Sequence, residues 1–331
     1  MLKLSICIIA YNEEKFLPRL LEDIKLSEYP HEYTEVVLID GMSSDRTKEI
    51  MLAFKAEDNG FYNVLVLDNP KRIQAAGWNV AIQNFTGDVL SRIDAHTHIP
   101  SDFSRKVMAD IETGENVVGG KRPCLIESES KWAKMLLSAE NALFGSSISF
   151  SRHAEVKTYV KTMFHASYRR EVFDKVGLFN EQLLRTEDNE MHYRIREAGY
   201  KLLYDPEIVS YQYARSSLKK MIKQKFGNGF WIGLTVKVCP GCISLYHLVP
   251  MAFVLAIVIT SIISAFGFPY LAMAMWGLYW LFAIVSMIFS IVKDGFSFAM
   301  LLMPAIFLIL HVSYGIGTIG GLLNFTRLKK T

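Results

Sequence analysis

Cysteine is scarce in this chain of 331 residues, with only Cys7, Cys124, Cys239 and Cys242. Cys239-Pro-Gly-Cys242 lacks both a second pair for a zinc site and the surrounding pattern of a redox fold, so both are expected as structural thiols. Cys7 sits in an apolar run and reads as a buried thiol. Charge of one sign is also lacking: a net charge of +3 is too small to point to nucleic acid. No secretory signal opens the sequence, because the run from Leu4 to Ala10 is too short and ends in Tyr11-Asn12-Glu13-Glu14. The N-terminal part is therefore expected in the cytoplasm, with its thiols reduced. Internal repeats and low-complexity segments are absent.

What the chain has is apolar residues, 51% of the total, and nearly all of the excess follows residue 245. The earlier part alternates strand and helix patterns. Leu4–Ala10, Glu35–Asp40, Asn63–Asp68 and Asp88–Asp94 are β-type runs. Between them lie helical patterns over 14–26, 46–55 and 74–85, the second capped by Ser43-Ser44-Asp45. This order implies an α/β fold with a mostly parallel sheet covered on both faces. Such sheets bind ligands at the carboxyl ends of their strands, so Tyr11-Asn12, Asp40-Gly41 and Asp94 are expected to share one crevice. Later come Gly119-Gly120, an amphipathic stretch from Trp132 to Leu143, and a loop near Gly145-Ser146-Ser147.

Arg215, Lys219, Lys220, Lys223, Lys225 and Lys237 cluster just ahead of the apolar third and suggest an anionic membrane surface or a phosphorylated lipid. Residues 216–245, with Phe226, Phe230 and Trp231 among the lysines, read as a basic amphipathic helix lying on the membrane. Leu248–Phe266, Tyr270–Val292 and about 298–323 are each long enough to cross a bilayer. Gly317-Thr318-Ile319-Gly320-Gly321 permits close helix packing. Three crossings with the first domain inside would place Arg327, Lys329 and Lys330 outside, against the positive-inside tendency. Either the third segment, interrupted by Pro304 and His311, is re-entrant or one hairpin does not cross fully. The expected organisation is 1–215 catalytic, 216–245 interfacial, 246–324 transmembrane and 325–331 a basic tail.

Two constellations carry chemistry. Glu187-Asp188 follows Arg185-Thr186 and opens an amphipathic helix, whose positive end favours an ionised carboxylate able to act as a base. Asp94-Ala95-His96, at a strand end, can bind a divalent ion beside a diphosphate; histidine suits manganese, oxygen suits magnesium. The alternative for this tripeptide is an aspartate that merely caps the next turn. Asp94-Ala95-His96-Thr97-His98 also resembles the strand end of metal-dependent amidohydrolases, although only His153, His165 and His192 remain to supply further ligands ahead of the membrane segments.

Taken in order, the motifs resemble the family 2 glycosyltransferases of the GT-A nucleotide-sugar-binding fold. They are Ile9-Ala10-Tyr11-Asn12-Glu13-Glu14, Ile39 to Thr47, Ala75-Ala76-Gly77-Trp78-Asn79, Gly87-Asp88, Arg92 to His96, Ala166 to Arg170, Val176-Gly177 and Thr186-Glu187-Asp188. The resemblance covers about residues 2–215. With Phe164-His165-Ala166 and the trailing apolar segments, it is nearest to bacterial exopolysaccharide glucosyltransferases of the succinoglycan type. It implies that Ala10, Tyr11 and Glu13 line the uracil and ribose pocket, that Asp40 bonds the uracil or ribose edge, and that Arg72 contacts the base or diphosphate. Asp94 and His96 would hold Mn2+ or Mg2+, Asp188 would deprotonate the acceptor, and Glu187 would orient the site or contact the acceptor. Gly119-Gly120 would let a sugar approach the backbone closely. Lys223, Gln224 and Lys225 would face a lipid diphosphate.

The partners so implied are a nucleotide-sugar donor, for which the resemblance alone favours UDP over GDP, a polyprenyl-linked acceptor and membrane lipids. His96 stands where typical members carry a second acid, and the Gln-x-x-Arg-Trp motif of processive relatives is absent, which favours addition of a single sugar. A polyprenyl-monophosphate acceptor is the nearest alternative. A non-catalytic membrane scaffold is a more distant one, at odds with the presence of Asp40, Asp94 and Asp188.

Overall fold

The computed structural model describes residues 1–126, 130–145, 154–213 and 217–324. Ser146, Ser147, His153, Arg215 and the basic tail 325–331 lie outside the described residues. The chain separates into two compact units: Met1–Leu125 with Ser151–Tyr213, and Ile126–Phe150 with Ala214–Thr331.

In the first unit, strands β1 (Leu4–Ala10), β2 (Thr34–Asp40), β3 (Asn63–Asp68) and β4 (Val89–Asp94) alternate with helices α1 (Leu17–Lys25), α2 (Thr47–Ala56) and α3 (Gln74–Asn84). There follow β5 (Thr97–His98), α4 (Phe103–Glu112), β6 (Val117–Lys121) and β7 (Cys124–Leu125). After α5 (Lys131–Asn141), which belongs to the second unit, come β8 (Thr158–Val160), β9 (Ser167–Arg169), α6 (Arg170–Val176), α7 (Glu187–Glu197), β10 (Leu202–Val209) and β11 (Tyr211–Tyr213). The main sheet runs β3-β2-β1-β4-β9-β6-β10-β8, with β9 and β8 the antiparallel members. A small sheet, β5-β11-β7, was not legible because strands of two or three residues carry no periodicity. The sheet is open, not a barrel, and His98 turns to Asp23 with Nδ1 2.6 Å from Oδ2, so the amidohydrolase likeness ends at the tripeptide.

Strand periodicity explains why these runs are apolar throughout. In β1, Leu4, Ile6, Ile8 and Ala10 face one core with α1, α2 and α4; Cys7 faces the other with α3, α6 and α7. β2 divides in the same way, with Val36 and Leu38 on one face and Val37 and Ile39 on the other. The helical faces that meet them are Leu17, Leu20 and Ile24 of α1 on one side, and Trp78 of α3 with Met191 and Ile195 of α7 on the other.

The second unit holds α8 (Leu218–Val238), α9 (Val249–Ala265), α10 (Tyr270–Asp294) and α11 (Met303–Leu323). Three of its segments are long and apolar enough to cross a membrane: Leu245–Ala265, Tyr270–Asp294 and Phe298–Leu323. Pro304 does not interrupt the third; it lies in the first turn of α11, where no backbone N–H is needed. His311 is satisfied, with Nε2 2.7 Å from the Phe144 carbonyl and Nδ1 3.1 Å from the Tyr279 hydroxyl.

Two features depart from expectation. Helix α8 does more than lie on a surface: Gly229 and Gly233 pack on the backbone of α11 at Tyr314, Thr318 and Leu322, and Gly317 and Gly321 return the contact at Phe226 and Phe230. The small-residue pattern seen in α11 thus has a partner pattern in α8, and Lys237 Nζ caps α11 at the Gly321 and Asn324 carbonyls. Cys239 and Cys242 form a disulfide where free thiols were expected; a turn just past α8 brings their Cα atoms to 5.6 Å.

Candidate active site

Register fixes the frame of the site. Ala10 pairs with Asp40, Asp40 with Asp68, and Ile9 with Asp94, so the strand-end acids sit at one edge of the sheet. Four non-glycine residues adopt a left-handed backbone: Asn12 (φ 55°), Met42 (φ 63°), Arg72 (φ 56°) and His165 (φ 46°). They follow β1, β2 and β3 or precede β9, which places all four at that same edge. Such conformations cost on the order of 1 kcal/mol or more each and persist where surroundings hold them. Here the hold is a mesh of hydrogen bonds. Ser43 N–H donates to Asp40 Oδ1 (3.2 Å), Asn12 N–H to Ser43 Oγ (3.0 Å), Ser44 N–H to Asn12 Oδ1 (2.8 Å) and Glu13 N–H to Thr47 Oγ1 (2.8 Å).

Tyr11 is exposed at the rim, whereas Ala10 is buried in the core with its carbonyl taken by Gly41 N–H at 2.8 Å. Ala10 therefore shapes the crevice only through its backbone. Arg72 is exposed just beyond β3.

At the end of β4, Asp94 and His96 have separate supports. His165 sets Nε2 3.3 Å from Asp94 Oδ2 and Nδ1 2.7 Å from Ser210 Oγ. Burial alone would raise the Asp94 carboxyl, but the His165 contact and the charges of Arg92 and His96 outweigh it and hold Asp94 well below the usual carboxylate range. Burial lowers His165, which stays neutral. His96 accepts from the Gln212 amide at Nε2 (2.7 Å), with Nδ1 3.3 Å from Glu13 Oε1. Among the described residues no three His, Cys, Asp or Glu side chains are grouped to enclose a metal ion. Asp94 would fill one position of a shell with its ionised oxygen, His96 would add Nε2 only by giving up the Gln212 amide, and the other positions would fall to diphosphate and water.

The acidic pair occupies the first turn of α7. Glu187 is 2% exposed and its Oε1 lies 3.2 Å from Nη2 of Arg92, a side chain itself 8% exposed. Burial, reinforced by the negative charge of Asp188 and opposed by Arg92, pushes Glu187 up to about 7. Burial also raises Asp188, against the pull of Arg92 and of the Asn189 N–H that donates to Oδ1 at 2.8 Å. Behind the pair, the Tyr168 hydroxyl donates to His192 Nε2 (2.8 Å) and His192 Nδ1 meets Thr162 Oγ1 (3.1 Å). Burial drives His192 down to about 3, so it is a neutral strut. An ionised strand-end acid and a proton-avid acid pair thus stand at one crevice, as charge neutralisation and general-base chemistry require.

The remaining sequence candidates are placed as follows. A Cβ on Gly119 would lie 2.5 Å from Met163 Sδ, and one on Gly120 2.0 Å from the Ile208 carbonyl. The space at both is filled by the protein's own atoms, so these glycines serve strand packing instead of a sugar. In the second unit, Lys223 is exposed, Gln224 buries its Oε1, and Lys225 is buried with Nζ 3.2 Å from Glu140 Oε1. Successive helix positions do not share a face, and the three side chains diverge accordingly.

Residues 5–177 match the glycosyl transferase family 2 profile. The chain belongs to that family. This glycosyltransferase is 34% identical over 227 residues to the succinoglycan biosynthesis protein ExoA of Rhizobium meliloti (strain 1021), covering 68% of the chain and 67% of that protein. It is 29% identical over 273 residues, 78% of the chain and 82% of the relative, to the dolichyl N-acetyl-alpha-D-glucosaminyl phosphate 3-beta-D-2,3-diacetamido-2,3-dideoxy-beta-D-glucuronosyltransferase of Methanococcus voltae. In fold it is similar to the mannosyltransferase PcManGT of Pyrobaculum calidifontis, solved with GDP-Man and Mn2+. The TM-score is 0.65 at 15% identity, over 96% of this chain and 87% of the other. The transferase thus has the GT-A architecture with apolar C-terminal helices.

The sequence quoted Arg92 and His165 within motifs but gave neither a role. A signal for Arg92 was there: a cation inside an otherwise apolar strand must be paired. For His165 nothing marked the left-handed backbone that aims its ring at Asp94.

Proposed function

We propose that this transferase moves one hexose from a UDP-sugar to a lipid-linked, polyprenyl-diphosphate saccharide, with inversion, in bacterial polysaccharide synthesis. The observation that carries this reading is the pairing, at one sheet edge, of ionised Asp94 beside His96 with the acid pair Glu187–Asp188. Asp188 takes the proton of the acceptor hydroxyl as its oxygen bonds to the anomeric carbon; the bond to the diphosphate oxygen breaks and UDP leaves with the electron pair. Asp94 and His96 are the groups that would hold Mn2+ or Mg2+, an ion that supplies Lewis-acid stabilisation of the departing diphosphate. Asp40, Tyr11, Glu13 and the backbone at Ala10 form the nucleoside side of the crevice, with Arg72 at its rim. Of Lys223, Gln224 and Lys225, the exposed Lys223 is the candidate contact to the lipid headgroup.

The lipid acceptor draws support from the three membrane-length apolar helices and from the relatives named for succinoglycan biosynthesis and for a dolichyl sugar phosphate. The latter name keeps a monophosphate lipid as the second reading. The first unit would then work on the cytoplasmic face of a multi-pass membrane protein. Purified full-length protein in detergent with Mn2+, offered a panel of nucleotide sugars, should release UDP only with one donor and only when a polyprenyl-diphosphate-linked sugar is added. Release with bare polyprenyl phosphate instead would select the second reading, and failure to bind any nucleotide would overturn both.

A further inference from the structure

Arg92 lies inside β4, between Ser91 and Ile93, at a position whose neighbours are apolar or small. A buried ion there costs more than a hydrophobic side chain of the same size, so stability does not account for it. Its guanidinium sits 4.7 Å from the ring centre of Trp78 on α3 and 5.6 Å from that of Phe179, two aromatic groups that fix where it can point. It points to Glu187, with Nη2 3.2 Å from Oε1. Arg92 Nε and Glu187 Oε2 are both buried without a hydrogen-bond partner. A closed two-bond fork would satisfy both atoms. One tine therefore stays open, next to the residue that acts as base.

We propose that Arg92 is the positioning residue of the acidic pair: it holds Glu187 against the sheet, and its charge offsets the burial of both carboxyls. The Asp188 role rests on the glycosyl-transfer reading above. Glu187 retains its proton near neutrality because it is buried beside a second carboxyl, and Arg92 faces both. The other charged or titratable groups around the pair are Asp94 on β4, Arg122 beyond β6, Tyr168 on β9 and His192 on α7. Tyr168 and His192 are neutral, and Arg122 and Asp94 act in opposite directions on Asp188. Arg92 binds a member of the pair directly, through Glu187.

The test is infrared pH-difference spectroscopy of the full chain, which needs no substrate, alongside donor-binding calorimetry to establish folding. Wild type should show a protonated carboxyl band that titrates near neutral pH, and Glu187→Gln should abolish it. Arg92→Gln should move the titration to higher pH by about one unit or more. Arg92→Lys, which keeps the charge but not the fork, should move it by less. Persistence of the band in Glu187→Gln overturns the proposal, as does a titration unmoved in Arg92→Gln. If Arg92→Gln does not fold, an unmoved band in Arg92→Lys overturns it equally. Where a donor is known, kcat of Arg92→Lys should fall about tenfold or more with donor KM little changed. Band shifts without any turnover would leave the arginine's hold on Glu187 in place and count against the transfer reading alone.

Discussion

His165 and Asp94 are joined across the antiparallel β4–β9 pair: Nε2 of the histidine lies 3.3 Å from Oδ2 of the aspartate, and Nδ1 is held by Ser210 at 2.7 Å. This makes His165 the support of a strand-end acid. His165→Ala should lower metal-dependent nucleotide affinity by about 10–100-fold, in line with loss of an outer-shell partner. Calorimetric titration of UDP with Mn2+ checks this, and unchanged affinity would show that Asp94 needs no such support.

Asp188→Asn should leave donor binding largely intact and reduce transfer by about 10²–10⁴-fold, because only the base is lost. Asp94→Ala should instead weaken donor binding itself. In wild type, burial raises the Asp188 carboxyl, and the base must be ionised to work. The acid limb of kcat/KM is therefore expected above the ordinary aspartate range, with activity lost as pH falls through it. A limb at the usual carboxylate pH would contradict the assignment.

His192 stays neutral in the fold down to about pH 3. The unfolded chain takes up a proton below roughly pH 6.5, so it binds more protons than the fold between those values. Stability should then fall with falling pH across that window, by up to about 1.4 kcal/mol per pH unit. His192→Gln should flatten this slope in melting temperatures recorded between pH 6.5 and 5. A slope identical to wild type would assign acid sensitivity to other groups.

The glycines of the helical unit divide into two kinds. A Cβ on Gly233 would fall 2.3 Å from the Thr318 carbonyl, whereas nothing lies within 4 Å of one on Gly277. Gly233→Ala should destabilise the detergent-solubilised protein by about 1–3 kcal/mol. Gly277→Ala, in the middle of α10, should stabilise it by roughly 0.4–1 kcal/mol. Thermal unfolding of the two variants side by side tests the opposed signs.

The first half of the fold was legible because strands buried on both faces write continuous apolar runs, and because Asp40 and Asp94 end two of them. Asp188 was legible from its place at a helix start. What the sequence hid were relations across distance. Arg92 and Glu187 are 95 residues apart, and neither alone announces the other. Gly119-Gly120 was read as room for a sugar, since a glycine pair does not say whether ligand or backbone fills the gap. The basic start of α8 masked Gly229 and Gly233, whose spacing matters only once α11 lies against them. Cys239 and Cys242 were read as thiols because spacing alone does not tell a free pair from a bonded one.

The excursion of residues 126–150 into the helical unit has a consequence for how this protein can be taken apart. Met135, Leu136 and Ala139 of α5 share a core with Met303, Ile306 and Phe307 of α11, although α5 is encoded between β7 and β8 of the first unit. The gene therefore has no single seam. Ending the chain at residue 213 would strip α5 of its cover and leave an apolar flank in water, so modular exchange of the helical unit between relatives requires two junctions, with α5 travelling as part of the cargo.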